Sequence, residues 1–335
     1  MPYMQPRVPP LPTSLDFRGK TGLVTGANSG LGQAACLHYL RHNISTLIIT
    51  VRRLSDGEVV KSHLLAHPDV KTRKEEPKIL VYELDLSTHS SVTAFASKIK
   101  AEIAQLHIVL LNAGIFTLDW KTSPETQNEM SFQVNYLSNA ILSLLLLPLL
   151  RITAESNSSQ GPSYLSIVSS QSYSNSRYIK DPIPDSTYIF DTFNDKGSFE
   201  PWSLYPDSKL LVCLFVRELA QHVDFSTVIV NYMCPGMVAT NLARDLSLPL
   251  RILGRIVTTL RGRSPEVGAR VLVNAAGASG KKSHGEFLLV YDVEPVISWM
   301  ETEKGKLMQR KLWRETEDVA QNLVPGVLQS AGLAN

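Results

Sequence analysis

Tyr205 and Lys209 are the two residues whose types and spacing most clearly predict chemistry. Reduction of a carbonyl places a proton on oxygen, and a phenol, with an unperturbed pKa of about 10, is a weak donor at neutral pH. A neighbouring ammonium group favours the phenolate and lowers that pKa toward the working range. Residues four apart lie on one face of a helix, so we expect the two side chains to be within reach of each other.

Ser170 is a candidate third member of this group. It stands at the end of an apolar run that we interpret as the fifth strand. A hydroxyl in that position could donate to the substrate oxygen and stabilise the negative charge that develops there. Proton transfer of this kind accompanies hydride transfer, and the hydride must come from a bound cofactor.

A glycine-rich turn near the N-terminus suits such a cofactor. It follows the first predicted strand and precedes a helix, where glycines permit a tight turn and close approach of the backbone to a pyrophosphate. The free N–H groups of the following helix favour phosphate binding. The cofactor-binding residues expected in this turn are Gly26, Asn28, Ser29, Gly30, Leu31 and Gly32.

Two arginines, Arg52 and Arg53, follow the second predicted strand. Dinucleotide-binding folds commonly have an acidic residue here, which binds the ribose 2′-hydroxyl. Guanidinium groups instead suit a 2′-phosphate, through charge-assisted hydrogen bonds. The sequence therefore predicts NADP(H) rather than NAD(H), with Arg52 as the better candidate because it is nearer the strand end.

Seven short apolar runs alternate with stretches of helical periodicity. Continuous apolar runs without strict alternation are typical of strands that are covered on both faces. We therefore predict an α/β fold, a single doubly wound (Rossmann) domain with a seven-stranded, mostly parallel sheet. The predicted strands are 21–25, 47–50, 79–82, 108–111, 164–168, 228–232 and 286–290.

Taken together, these motifs resemble those of the short-chain dehydrogenase/reductase family, over about residues 18 to 295. The surrounding sequence is similar to the retinol-dehydrogenase-like branch and to reductases of fungal secondary metabolism. The motifs that carry the resemblance, in family order, are the glycine turn, Asp85-Leu86, Asn112-Ala113-Gly114, Tyr205 to Lys209, and Pro235 to Thr240.

The resemblance implies a role for each of these positions. It favours Ser170 over Ser169 as the catalytic serine and adds Asn135, which would hold a water near Lys209. Tyr205 and Lys209 would also contact the cofactor, with Lys209 on the nicotinamide ribose. The remaining cofactor contacts that it implies are Asp85 and Leu86 at the adenine, Asn112, Ala113 and Gly114 at the adenine ribose, and Pro235, Gly236, Val238 and Thr240 near the nicotinamide carboxamide or the phosphates.

Several segments lie outside this core pattern. We expect residues 1–17 to form a flexible, proline-rich arm, residues 18–300 the oxidoreductase domain, and residues 301–335 a C-terminal extension. Residues 171–203 are interpreted as an insertion beside the reacting centre, whose aromatic side chains favour an apolar or aromatic substrate. Residues 237–263 correspond, by the resemblance, to a mobile lid over the substrate.

Composition excludes some classes of function. A net charge of +2 over 335 residues does not indicate nucleic acid or an anionic membrane as the main partner. The most apolar run, 140–150, is shorter than the roughly 20 residues of a transmembrane span. Three scattered cysteines fit a reducing compartment, hence a cytoplasmic location. His63 and His67 lack the third ligand of a zinc site, so no metal is expected.

The expected partner is a small-molecule carbonyl or alcohol, and the chain could form a homo-oligomer. Two other functions remain open because a fold does not fix an activity. One is a non-redox isomerase or dehydratase on the same scaffold. The other is an NADP-binding regulatory protein without turnover.

Overall fold

The computed structural model describes residues 5–156, 161–240, 242 and 246–333. Within them one sheet has the strand order β3-β2-β1-β4-β5-β6-β7-β8. The strands are β1 (Thr21–Val24), β2 (Thr46–Val51), β3 (Lys78–Glu83), β4 (Ile108–Leu111), β5 (Ser163–Val168), β6 (Val228–Cys234), β7 (Phe287–Leu289) and β8 (Asp292–Glu294).

The prediction of a doubly wound, mostly parallel sheet is confirmed, but the predicted number of strands is wrong. The strands from β1 to β7 pair in parallel, and β8 turns back antiparallel along β7. The turn between them places Val290 at a φ of 60°, in the left-handed region that valine rarely adopts. The edge strand β8 has only three residues, two of which are acidic, and no apolar run. Its sequence pattern therefore does not predict a strand.

Helices cover both faces of the sheet. One layer contains α1, α2 and α9, and the other contains α4, α5 and α7, with α10 packed outside α7. The helices are α1 (Gly30–Arg41), α2 (Leu54–Ala66), α3 (Pro68–Lys71), α4 (His89–Glu102), α5 (Ser138–Ser156), α6 (Ile189–Asn194), α7 (Leu204–Gln221), α8 (Leu248–Arg261), α9 (Pro265–Ala275), α10 (Glu303–Leu323) and α11 (Val327–Ser330).

The strand order reverses beside β1, which lies between β2 and β4. In open α/β sheets, ligands bind at the carboxyl ends of the strands at such a switch point. The glycine turn after β1 and the Asn112 motif after β4 both stand at this edge. The topology therefore brings the predicted cofactor residues together.

The helix formed by Phe132–Ser156 is long and apolar enough to cross a membrane, by length and composition alone. Its first six residues, Phe132–Leu137, form a π-helical turn that leads into α5. The most apolar 18-residue window is 83% buried within the protein, between the sheet and the outer helices. This helix is therefore part of the core.

The N-terminal residues are more ordered than the proline-rich sequence predicts. Val8, Leu11 and Phe17 are buried against the α1–α9 layer. The Gln5 side chain hydrogen-bonds the backbone at both Met237 and Arg261. The sequence predicts a flexible arm here, whereas three apolar side chains of residues 5–17 pack on a hydrophobic surface of the domain. Residues 1–4 lie outside the described residues.

Candidate active site

The turn after β1 is shaped by its glycines. Gly26 and Gly30 have φ angles of 65° and 57°, in the left-handed region. A Cβ on Gly32 would lie 2.3 Å from the Gly26 carbonyl oxygen, so the turn can close only with glycine at this position. The first turn of α1 has no acidic residue. Its N–H groups can therefore receive phosphate without repulsion, and the cradle fits a dinucleotide.

The base of the predicted lid lies directly over this turn. The Thr240 side chain is 3.4 Å from where a Cβ on Gly30 would stand. Leu31 and Val238 both approach Gly268 of α9 so closely that a Cβ there would be within 3 Å of either side chain. The structure therefore brings residues from distant parts of the chain to the glycine turn.

Asn112 and Thr25 join the ends of β4 and β1. The Thr25 hydroxyl accepts hydrogen bonds from the backbone N–H groups of Asn112, at 2.9 Å, and Ala113, at 3.0 Å. The Asn112 amide donates to the Thr25 carbonyl at 2.9 Å. Gly114 follows, and a Cβ there would come within 3.1 Å of the Asn135 Oδ1. This motif braces the ends of β1 and β4 against each other.

Arg52 and Arg53 differ in the structure. Both are exposed after β2, but Arg53 forms an ion pair with Asp56 at 3.0 Å. Among the described residues, none pairs with Arg52. After β3, the Asp85 carboxylate accepts from the Ser87 N–H and the Leu86 carbonyl accepts from the Ser138 hydroxyl. Arg52 is thus the guanidinium that remains available for a ligand.

The four predicted catalytic residues converge beyond the ends of β4 and β5. The Ser170 side chain lies beside the Tyr205 phenol. The Lys209 Nζ lies 5.5 Å from the centre of the Tyr205 ring and donates to the Val168 carbonyl at 2.8 Å. Ser169, the alternative serine, is buried and faces away, toward Lys209 O and Cys213. The geometry therefore favours Ser170, as the sequence predicts.

Asn135 lies within the π-helical turn before α5. Its Oδ1 accepts from the Ile115 N–H at 2.8 Å, and its Nδ2 donates to the Ile115 carbonyl at 3.0 Å and to the Ser208 hydroxyl at 3.1 Å. Asn135 therefore ties the strand β4 loop to the catalytic helix α7. π-helical turns often occur at functional sites, and the sequence pattern did not indicate this one.

Burial controls the protonation of the catalytic pair. It raises the pKa of the Tyr205 phenol well above its ordinary value, with a smaller lowering from the adjacent Ser170 hydroxyl. Burial lowers the pKa of Lys209 to about 8. The pKa of Tyr205 is therefore raised and not lowered as the sequence predicts, because burial outweighs the other effects, and Lys209 Nζ donates to the Val168 carbonyl. Tyr205 thus carries its proton at neutral pH but is a weaker acid than a free tyrosine.

Two further residues near the site were not singled out from the sequence. Phe116 packs edge-on against the Tyr205 ring, with the ring centres 5.3 Å apart. Asp207 is fully buried beside the catalytic pair and accepts hydrogen bonds from the Ser176 hydroxyl at 2.6 Å and the Arg177 N–H at 3.1 Å. Burial raises the pKa of Asp207 to about 6. The sequence did contain a signal for Asp207, because an acidic residue stands between Tyr205 and Lys209 on a helix that packs against the core.

Asp207 links the catalytic helix to the predicted insertion. The Arg177 guanidinium lies 2.9 Å from the Asp207 carboxylate and also donates to the Ser198 carbonyl. One buried carboxylate thus connects Tyr205 and Lys209 to both ends of the segment 171–203. This segment contains short helical turns and α6 rather than an unstructured loop.

The C-terminal helix α10 holds the same insertion from the other side. The buried Glu315 carboxylate accepts from the N–H groups of Ile189, at 2.8 Å, and Phe190, at 3.0 Å, at the start of α6. Lys311 donates to three carbonyls between Pro184 and Thr187. The extension therefore supports the predicted substrate side of the site.

The lid is closed at its base by two sets of contacts. Val238 and Arg263 form a parallel bridge, and Arg263 donates to the Pro235 carbonyl at 2.6 Å. Gln5 spans the same point: it accepts from the Met237 N–H and donates to the carbonyls of Met237 and Arg261. Gly236, with a φ of 79°, allows this crowding, because any Cβ would overlap Gln5 and Arg263.

Sequence comparison finds many similar proteins. The short chain dehydrogenase family matches residues 20–171. The short-chain dehydrogenase/reductase tropG of Talaromyces stipitatus is 36% identical over 314 residues, covering 94% of each chain. The short chain dehydrogenase yanD of Aspergillus niger is 36% identical over 315 residues, with the same coverage. The expected similarity to fungal reductases is confirmed.

Comparison of structures supports the same fold. A Pseudomonas aeruginosa RhlG/NADP active-site complex superposes with a TM-score of 0.61, over 83% of this chain and 97% of that one, at 21% identity. At this identity the likeness concerns the fold alone.

Proposed function

Because this chain belongs to the short-chain dehydrogenase/reductase family, we propose that it is an NADPH-dependent reductase of a ketone or aldehyde on a mostly apolar small molecule. It would catalyse the reverse alcohol oxidation when the cofactor ratio favours it. The observation that carries the proposal is the convergence of Ser170, Tyr205 and Lys209 at the cofactor edge of the sheet, with Tyr205 protonated.

The residues around the glycine turn fit a nicotinamide dinucleotide. The turn and the N-terminus of α1 would receive the pyrophosphate, since a Cβ at Gly32 would fill the cradle. Arg52, exposed and without a partner among the described residues, suits the 2′-phosphate. Asp85 and Leu86 would border the adenine. When bound, NADPH supplies the hydride.

Tyr205 would donate the proton to the substrate oxygen, and Ser170 would hold that oxygen by a hydrogen bond as negative charge develops. Lys209 is mainly charged below pH 8, given its pKa of about 8, and its ammonium supports the phenolate that remains after proton transfer. Asn135 would hold the loop after β4 against α7. Tyr205 on α7 would then keep a fixed position relative to the cofactor-binding edge of the sheet.

The surroundings of Tyr205 support an apolar substrate. Phe116 covers one side of the phenol ring, and Trp120 packs edge-on against Phe199 of the insertion at 5.4 Å. Apolar and aromatic walls with a few convergent polar groups are typical of small-molecule sites. Fungal relatives named as short-chain dehydrogenases agree with a role in secondary metabolism. Three buried free cysteines favour the cytoplasm.

The direct test is titration of the purified protein with NADPH and, separately, NADH, followed by nucleotide fluorescence. We expect clear preference for NADPH, and then loss of NADPH absorbance when apolar ketones or aldehydes are added. Preference for NADH would overturn the role of Arg52. Product formed without net NADPH oxidation would favour an isomerase or dehydratase, and binding without turnover across the panel would favour a regulatory protein.

A further inference from the structure

An unusual cluster of exposed apolar side chains lies on α8 and in the segment before it. Seven of the 14 large hydrophobic residues that are exposed in the described part of the chain fall between residues 237 and 260. Single exposed apolar residues are ordinary, but a contiguous patch marks a site of interaction. We call this cluster the lid patch: Met237, Leu242, Leu248, Ile252, Leu253, Ile256 and Leu260.

The lid patch is mainly one face of a helix. Leu248, Ile252, Ile256 and Leu260 recur every four residues, and their exposed fractions are 65%, 51%, 51% and 78%. No residue of α8 is buried. The helix thus turns its apolar stripe outward, whereas an ordinary surface helix turns that stripe toward the core. The stripe lacks a partner within the described chain.

The charges on α8 indicate what covers the stripe. The helix has three arginines and no acidic residue. With about 3.6 residues per turn, Arg251 and the exposed Arg255 lie along one edge of the apolar stripe, and Arg261 lies on the far side at the C-terminal end of the helix. Arg7 and Arg263 add positive charge at its C-terminal end, where they line a cavity of about 520 Å³ with Leu260. An apolar face bordered by arginines is the pattern of helices that lie in a lipid interface.

A second copy of the chain fits less well. In a two-fold symmetric pair the same patch meets itself. Arg251 and Arg255, on one edge of the patch, would then approach their own equivalents, with no acidic residue on α8 to compensate. Phosphates of an anionic bilayer instead match this edge, since arginine stems can lie along apolar surface while the charged heads reach the phosphates.

We propose that α8 docks this protein on the surface of an anionic lipid bilayer, with the apolar stripe among the acyl chains and Arg251 and Arg255 at the phosphates. The helix lies in the interface plane and does not span the membrane. The overall charge of +2 conceals this site, because the positive charge is concentrated in one segment. The inference goes beyond the catalytic proposal and does not depend on it.

Vesicle flotation tests this proposal with the full chain. One set of vesicles contains phosphatidylcholine alone and the other adds phosphatidylserine. We expect the protein to float with the anionic vesicles, and added salt to release it. Each arginine near an anionic surface strengthens binding about fivefold, so binding to the neutral vesicles should be at least about tenfold weaker.

Two paired variants separate the apolar and charged contributions. Ile252→Ser with Ile256→Ser should abolish flotation, and Arg251→Gln with Arg255→Gln should reduce binding to the level of neutral vesicles. The matched control, Val59→Ser with Ile152→Ser, removes two apolar side chains of 56% exposure outside the lid patch and should float like the original chain. Thermal unfolding followed by circular dichroism verifies that each variant is folded.

Absence of flotation with anionic vesicles, or undiminished flotation of the folded Ile252/Ile256 variant, would overturn the proposal. A dimer in sedimentation velocity that this variant dissociates, without vesicle binding, would assign the lid patch to a second copy of the chain. None of these measurements uses turnover, so their outcome is separate from that of the reductase proposal.

Discussion

The cofactor side and the substrate side of the site are built in different ways. Around the glycine turn, the shape comes from backbone conformation and from contacts between adjacent strand ends, such as Thr25 with Asn112. Around the insertion and the lid, it comes from single side chains that contact residues far away in the sequence, such as Glu315 with Ile189, 126 residues apart, and Gln5 with Met237, 232 residues apart. We therefore expect changes on the first side to affect cofactor binding and chemistry, and changes on the second to affect substrate binding.

The largest effect should come from the proton donor between the two sides. Tyr205→Phe removes the phenol oxygen while leaving the ring packed on Phe116. We expect kcat to fall about 10³-fold, within the range of general acid catalysis, with NADPH affinity nearly intact. Steady-state kinetics and fluorescence titration measure the two. Tyr188→Phe, at a tyrosine with 63% exposure, is the control. Equal turnover of Tyr205→Phe and the original chain would contradict the assignment.

On the cofactor side, Gly32→Ala should weaken NADPH binding about 100-fold. The added Cβ would lie 2.3 Å from the Gly26 carbonyl, and forced shifts of this kind cost up to about 3 kcal/mol. The control is Gly254→Ala on α8, where a Cβ meets nothing within 4 Å. Fluorescence titration should separate the two variants, and unchanged affinity in Gly32→Ala would contradict binding at this turn.

A charge change beside the same turn should act on one cofactor only. Arg52→Asp should weaken NADPH binding about tenfold or more, since a hydrogen bond to a charged group contributes about 1.5–3 kcal/mol, and should leave NADH binding nearly unchanged. Arg53→Asp should have a smaller effect because Arg53 is engaged with Asp56. A parallel loss of both cofactors in Arg52→Asp would show that this residue does not read the 2′-phosphate.

On the substrate side, Glu315→Gln should raise KM several-fold and change kcat by less than twofold. The amide loses the negative charge that holds the N-terminus of α6, and a charge at that place contributes about 0.3–1 kcal/mol. Asp318→Asn, an exposed acid on the same helix, is the control. A fall in kcat with unchanged KM would place Glu315 on the catalytic side of the comparison.

We expect the pH dependence of kcat to be set by Lys209 and Tyr205 and not by the residues of the substrate side. Burial lowers the pKa of Lys209 to about 8, so the ammonium is present below that pH and lost as the pH rises through it. Tyr205 stays protonated over this range because burial raises its pKa. We expect kcat for reduction to decline above pH 8, equally in Glu315→Gln. Lys209→Arg should move the decline to higher pH, since a guanidinium keeps its charge.

The sequence was informative where function depends on local backbone form. Gly26 and Gly32 stand in a strand–turn–helix pattern whose geometry follows from residues a few positions apart. The predicted strands β1 to β6 agree with the observed ones within two residues at each end, because buried parallel strands are continuous apolar runs.

The features that sequence analysis missed depend on distant partners or on burial. Nothing near Glu315 indicates that it caps α6, since the two are 126 residues apart. The phenol pKa was predicted from the spacing of Tyr205 and Lys209, but spacing does not tell how deeply a group is buried or that Lys209 bonds Val168. The order of residues 5–17 likewise requires a surface that exists only after folding.

The contacts of Gln5 affect the chain entropy of the segment between Met237 and Arg261. By joining Met237 to Arg261, Gln5 makes the residues between them a closed loop whose ends are fixed whatever the loop contains. The entropy of closing a flexible loop rises slowly with length, about 0.6 kcal/mol for each doubling. Residues between these two points can therefore be added or exchanged at small cost to folding. We therefore expect changes between these two points to leave the glycine turn unaltered.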